Sequence, residues 1–187
     1  YYIPIPKERE AAFEITEALR PVFEDGQIKK VGQNIKYDLL VLKNYNIDLK
    51  GELFDTMIAH FLLYPGLKNG MDFMAETYLH YRPISIEELI GKKGAQQGNM
   101  RDVPNEKIKE YAAEDADITW QLYEILEQKL QVSNIKDLFH KIEMPLVKVL
   151  ADMEQTGVKI DDKALNLFAE VLKKQIAELE IKIQEIA

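Results

Sequence analysis

Two stretches of this chain pass from a short strand pattern straight into a helical one, and that repeated junction constrains the fold most. "QIKKVGQN" leads into "IKYDLLVLKNYNI", where Ile35, Leu39 and Leu42 share one side. "LFDTMIAHFLLYPG" does the same, with Asp55 placed to cap its helix and Pro65 and Gly66 to stop it. Strands that alternate with helices bury one face of each against a common core, so they imply an α/β layer. Around these junctions, "YYIPIP" at 1–6 is aromatic, β-branched and interrupted by prolines, which predicts an edge strand. Ala12, Phe13, Ile15, Leu19 and Phe23 fall at near-helical intervals and predict a helix over 7–23. "GMDFMAETYLH" predicts a short helix, and a long one starts near Asn105, with Ile108, Ala112, Leu122, Ile125 and Leu126 on its apolar side.

From Ser133 the texture becomes helical. Pro145 predicts a kink or a fresh start within "NIKDLFHKIEMPLVKVLADMEQTG". "VKI" reads as a brief strand before a final helix. In that helix Phe168, Leu172, Ile176, Leu179, Ile183 and Ile186 form a seam of steps of four and three that calls for a partner. The expected division is an α/β part over 1–132 and an α-helical extension over 133–187.

A chain of 187 residues, 47% hydrophobic, can bury a substantial core. No apolar run reaches membrane-spanning length and the first 30 residues are acidic and polar, so neither a span nor a secretion signal is expected. The chain has no cysteine, which removes disulfides and thiolate metal sites and accords with a cytoplasmic location. Its net charge of −8 opposes a polyanion, so binding nucleic acid would need local help from carboxylate-held cations or from basic clusters such as Lys92, Lys93 and Arg101.

The acids are where chemistry is expected. Asp38 lies one turn into a helix in an apolar neighbourhood that penalises an unpaired charge. In "EYAAEDADITW", Tyr111 and Asp115 are four residues apart, so a phenol and a carboxylate share one helix face. Glu114 and Asp117 read as solvated acids. Taken singly, Asp38 also reads as a surface aspartate favoured by the helix dipole, and Tyr111 and Asp115 as a half-buried tyrosine and a surface acid.

Taken together, "KVGQNIKYD" and "YAAEDADITWQL" resemble the second and third motifs of the DEDDy class of 3'-5' exonucleases. With "FDTMIAHFLL" and "IEMPLVKVLADMEQTGVKID" they look like consecutive blocks of the bacterial DNA polymerase I family, and the last block resembles the start of the polymerase thumb. The resemblance implies an RNase H-like α/β fold and hydrolysis of the 3'-terminal nucleotide of DNA with two divalent metal ions, magnesium or manganese, with zinc as an alternative. It implies Asp38 and Asp115 as metal ligands, and Tyr111 as the group that orients the attacking water. It also implies Gln33 and Asn34 near the bound strand, with Tyr37 packing behind.

The family's first motif, Asp-x-Glu on an opening strand, has no counterpart in a suitable strand here, and the chain starts without methionine. The expectation is therefore a piece of a longer chain, with weak metal binding and little activity of its own. Its partners would be a single-stranded 3' end of DNA and the remainder of the polymerase.

Within the Gly-, Gln- and Lys-rich stretch 82–104, Lys92, Lys93 and Arg101 could touch phosphates. Ile86 stands where the resemblance suggests an apolar wedge against terminal bases, although a core role fits it equally. Asp55 reads as a helix cap, Trp120 as core, and His60, His80 and His140 as structural or exposed, since they lack zinc-like spacing. A non-catalytic DNA-binding scaffold and an RNA-trimming exonuclease remain alternatives.

Overall fold

The computed structural model describes residues 2–186. It divides into two compact units, Tyr1–Gln155 and Thr156–Ala187.

In the first unit, α1 (Arg9–Phe23) precedes a strand–helix–strand–helix run of β1 (Lys30–Gly32), α2 (Ile35–Lys43), β2 (Leu53–Asp55) and α3 (Thr56–Leu63). β1 and β2 pair in parallel, with Lys30 opposite Leu53, Val31 opposite Phe54 and Gly32 opposite Asp55. Parallel neighbours need a crossover, and α2 supplies it. At the start of β2 the chain turns through Gly51, whose φ of +88° and close approach to the Ile28 carbonyl leave no room for a Cβ.

Next come α4 (Met71–Met74), which runs on as a π-helical turn over Ala75–Leu79, and α5 (Ile86–Ile90). A 3-10 turn at Met100–Asp102 leads to the long α6 (Asn105–Gln131). α7 (Lys136–Leu138) continues through a π-helical turn at Phe139–Glu143 into α8 (Met144–Thr156). Pro145 accounts for that change of path: it has no N–H to donate and its ring clashes with the carbonyl four residues back, so regular α-helix starts afresh at Met144.

The core lies where β2, α3, α6 and α8 meet. Phe54 of β2 is fully buried, its ring 4.8 Å from Tyr123 and 4.9 Å from Phe139 between centroids. Ile118, Leu122, Leu126 and Leu130 form the buried stripe of α6 at helical spacing, and Met144, Val147 and Ala151 bring α8 onto the same core. Lys36 and Lys43 of α2 pair with Glu154 and Asp152 of α8, and Lys148 donates to the Leu49 carbonyl at 2.9 Å. Residues 133–155 are thus integral to the first unit. The first compact unit runs on past the change of texture near Ser133 to Gln155, because those apolar helical positions are spent on the α/β core.

Asp55 locks the two junctions. Its carboxylate, 1% exposed, accepts from Asn34 N (3.3 Å) and Ile35 N (2.8 Å) at the start of α2, and from Met57 N (2.9 Å) and Ile58 N (3.2 Å) at the start of α3. The expected cap of one helix is a clamp on two.

Two expected strands do not form. Residues 2–6 are irregular; Pro4 and Pro6 have no amide to donate, and no partner strand flanks them among the described residues. Tyr1 lies outside the described residues. "VKI" at 158–160 likewise forms no strand. In the second unit, α9 (Asp162–Ile186) carries the expected seam, with Phe168, Leu172, Ile176, Leu179, Ile183 and Ile186 exposed. No helix among the described residues is long and apolar enough to cross a membrane.

Asp55→Ala strips four backbone amides of their acceptor and is expected to cost about 3 kcal/mol in urea unfolding, whereas Asp55→Asn, which keeps one acceptor oxygen, is expected to cost roughly half of that. Equal stability of the alanine variant and the wild type would show that the clamp contributes nothing.

Candidate active site

The site begins at the β1–α2 turn. Gly32 ends the strand, and Asn34 takes the left-handed conformation, φ +59° and ψ +50°, that asparagine tolerates better than most residues. Its N–H and that of Ile35 point to Asp55. Gln33 is fixed on both ends of its amide, donating to the Asn69 carbonyl at 3.0 Å and accepting from the Thr56 hydroxyl. α2 therefore leaves the sheet at a set angle, and Asp38 stands one turn into it.

The second element is α6. Its buried stripe starts at Ile118, and the turn before it presents Asp115 beside the end of β1, with Tyr111 one turn earlier paired to it. Asp38 and Asp115 line one open cleft of about 440 Å³ together with Gly32, Gln33, Met71, Thr119 and Trp120. Residues far apart in sequence thus share one space, because the sheet and α6 pack on a common core.

Electrostatics mark the same place. Burial pushes the Asp115 carboxyl up to about 6; Tyr111 works against the rise by hydrogen bonding, while the charges of Glu114 and Asp72 add to it. Oδ1 of Asp115 is buried without a hydrogen-bond partner. Asp38 is also pushed up to about 6, by desolvation first and then by the charge of Asp55, against the pull of its own backbone amide. Solvent reaches the outer side of Asp38, so screening moderates that effect. The Tyr111 phenol is pushed up to about 12 by burial and by Asp115, and it remains a neutral donor at physiological pH.

Carboxylate oxygens are the donors that hard divalent cations take, and an orphaned buried carboxylate oxygen suits one. Asp38 and Asp115 fit such an ion in kind. In number they fall short of a full shell: among the described residues, no group of three or more His, Cys, Asp or Glu side chains could hold a metal.

The remaining expected residues divide. Gln33 lines the cleft, and Asn34 lies at its turn. Tyr37 does not pack behind the site: the residue is 64% exposed, because the helix turns that position away from the core. Ile86, at the start of α5, is exposed and has no core role. Lys92 and Lys93 are exposed and lie outside the cleft lining, as does Arg101, which borders a separate apolar groove against Ile5 and Leu19.

Sequence reading misplaced two further residues. Trp120 is not core but 52% exposed in the cleft, its ring 5.2 Å from that of Tyr123. Glu114 is not a free solvated acid; it accepts from the Tyr81 hydroxyl and from Ile84 N at 2.8 Å. Asp72 was missed, as nothing in its local pattern ties it to Asp115. His60 is structural, buried between Asn69 Oδ1 at 2.9 Å and the Tyr78 hydroxyl at 3.0 Å.

This geometry has known relatives. A family model described as 3'-5' exonuclease matches residues 1–131. The chain belongs to that family. Its similarity extends along bacterial DNA polymerase I: it is 37% identical over 168 residues to that protein of Borreliella burgdorferi, covering 88% of this chain and 18% of the relative. It is 36% identical over 192 residues to those of Chloroflexus aurantiacus and Pseudomonas aeruginosa, covering 100% of this chain and 20% and 21% of the relatives. The chain thus spans about a fifth of the length of the curated relatives it matches. Among solved structures, the "POL domain of Pol1 from M. smegmatis complex with DNA primer-template and dNTP" superposes with a TM-score of 0.68 at 22% identity, over 88% of this chain and 25% of that one. The fold is the RNase H-like α/β fold of these exonucleases, here mostly helical around a small sheet.

Tyr111→Phe removes the bond that opposes the rise at Asp115, so the Asp115 titration midpoint is expected to move further above about 6 when followed by carboxyl-carbon NMR. An unmoved or lowered midpoint would contradict the pairing.

Proposed function

We propose that this chain is the proofreading part of a DNA polymerase I-like enzyme, which hydrolyses the 3'-terminal nucleotide of DNA. Residues 1–132 would form the exonuclease part and 133–187 the first helices of the polymerase thumb, of which 133–155 pack on the exonuclease core. The observation that carries the reading is the convergence of Asp38 and Asp115 on one cleft beside Tyr111, on a fold shared with 3'-5' exonucleases.

Asp38 and Asp115 would hold divalent metal, with two ions in the complete site. When bound, metal supplies an activated water and stabilises the leaving 3'-oxygen. The chain's own residues do the rest. Tyr111, neutral at physiological pH and paired with Asp115, would turn its one O–H from that carboxylate to orient a water in line with the scissile phosphate once metal takes up the carboxylate charge. Gln33 and Asn34, fixed at the β1–α2 turn, border the path of a single-stranded 3' end. Tyr37 and Ile86 offer exposed apolar faces to bases, and Lys92, Lys93 and Arg101 offer charge to phosphates. The partners are then DNA and the rest of a polymerase chain, in the cytoplasm.

With only two converging carboxylates among the described residues, the 187 residues alone would bind metal weakly and hydrolyse little. The same observation favours a second reading for the isolated chain, a scaffold that positions DNA without cutting it. An RNA-trimming exonuclease fits less well, since relatives whose similarity runs along the whole of this chain are named DNA polymerase I.

In the intact protein, Asp38→Ala and Asp115→Ala are each expected to lower magnesium-dependent release of 3' mononucleotides from single-stranded DNA by about 100-fold or more, with nucleotide incorporation retained. Undiminished release from either variant would remove that residue from the site, and efficient metal-dependent release by the 187 residues alone would overturn their assigned weakness.

A further inference from the structure

Glu114 lies three residues after Tyr111 and one before Asp115, on the flank of the α6 face that those two present. Its half-buried carboxylate spends one oxygen on the Tyr81 hydroxyl and the other on the Ile84 amide at 2.8 Å. Both donors are neutral and both belong to a single stretch, 81–84, remote in sequence. One acidic side chain therefore pins that stretch at two points beside Asp115.

The segment just past Ile84 gives the attachment its consequence. Ser85 is the N-cap of α5, its hydroxyl accepting from Glu87 N at 3.2 Å, and Ile86 is the first helical residue, 42% exposed. The amide held by Glu114 is thus two residues ahead of Ile86 and fixes where α5 begins. Downstream of α5 the chain carries Lys92 and Lys93, both exposed. A carboxylate next to the acidic cleft would ordinarily repel a nucleic-acid strand; here both its oxygens are turned to the 81–84 stretch.

We infer that Glu114 is a positioning residue that latches the α5 segment to the helix carrying Tyr111 and Asp115, so that Ile86 and the lysines beyond it meet the single-stranded 3' end at a fixed place relative to the cleft. The inference rests on the exonuclease reading above. Glu114 touches neither substrate nor reacting atoms. Its loss loosens the hold on DNA; it also removes a charge that raises the Asp115 pKa, but at a pH well above about 6 Asp115 is already ionised, so there the effect falls on KM.

The test uses the intact protein and a single-stranded oligodeoxynucleotide, with KM and kcat for 3' mononucleotide release measured separately. Glu114→Ala is expected to raise KM about 10-fold with kcat within about twofold, the scale of one lost bond to a charged acceptor. Glu114→Gln keeps an acceptor for Ile84 N and is expected to restore most of the affinity. Tyr81→Phe, which removes one bond and keeps the fold, is expected to raise KM about threefold and serves if the alanine variant does not fold. Asp115→Ala separates the two ideas. If it abolishes release while Glu114→Ala or Tyr81→Phe leaves KM unchanged, or lowers kcat instead, the latch is overturned and the exonuclease reading stands; if it leaves release intact, the exonuclease reading itself fails.

Discussion

The carboxylate of Asp55 is held in the interior by amides from the first turns of two helices, and the geometry of the site depends on it. Burying that side chain carries a desolvation cost that pushes its pKa up, and the backbone bonds pull the other way. The arrangement uses the positive ends of two helix dipoles and the orphan amides that every helix start exposes. Because the clamp sets where α2 leaves the sheet, it also sets where Asp38 stands. A carboxylate with no place in the proposed chemistry thus determines the position of one that has.

The other half of the site comes from α6, whose length lets one helix serve two purposes. Its later turns are wholly apolar toward the core, with Leu122, Leu126 and Leu130 fully buried, and its earlier turns project Tyr111, Glu114 and Asp115. Burial of the first set fixes the azimuth of the second, since residues of one helix cannot rotate independently. α8 reinforces this: its apolar face completes the core, and its acids pair with α2 lysines. The helices that look like an appendage in the sequence are therefore part of what keeps the site in place.

The local features were legible because they are encoded by neighbours. Strand-to-helix junctions, the capping role of Asp55, the restart at Pro145 and the pairing of Tyr111 with Asp115 all arise from contacts or steric limits within a few residues. The errors share the opposite property. Trp120 has an apolar side chain at a helical position, and nothing near it in sequence says that its side of α6 is left open. Glu114 reads as a solvated acid until Tyr81 and Ile84 are brought beside it. Residues 2–6 have strand composition, yet a strand needs a neighbour to bond, and none is at hand among the described residues.

The sequence by itself determined the alternation of elements, the caps that start them and the helix spacing that sets a phenol and a carboxylate on one face, because each arises from backbone geometry and side-chain shape over a turn or two. The resemblance of its motifs singled out Asp38 and Asp115. Only the tertiary structure decided that these two acids share a cleft, that Glu114 is engaged, and that residues 133–155 belong to the first unit. Long-range packing and the partnering of buried polar atoms are properties of the whole core, and no local pattern fixes which distant group will supply the missing partner.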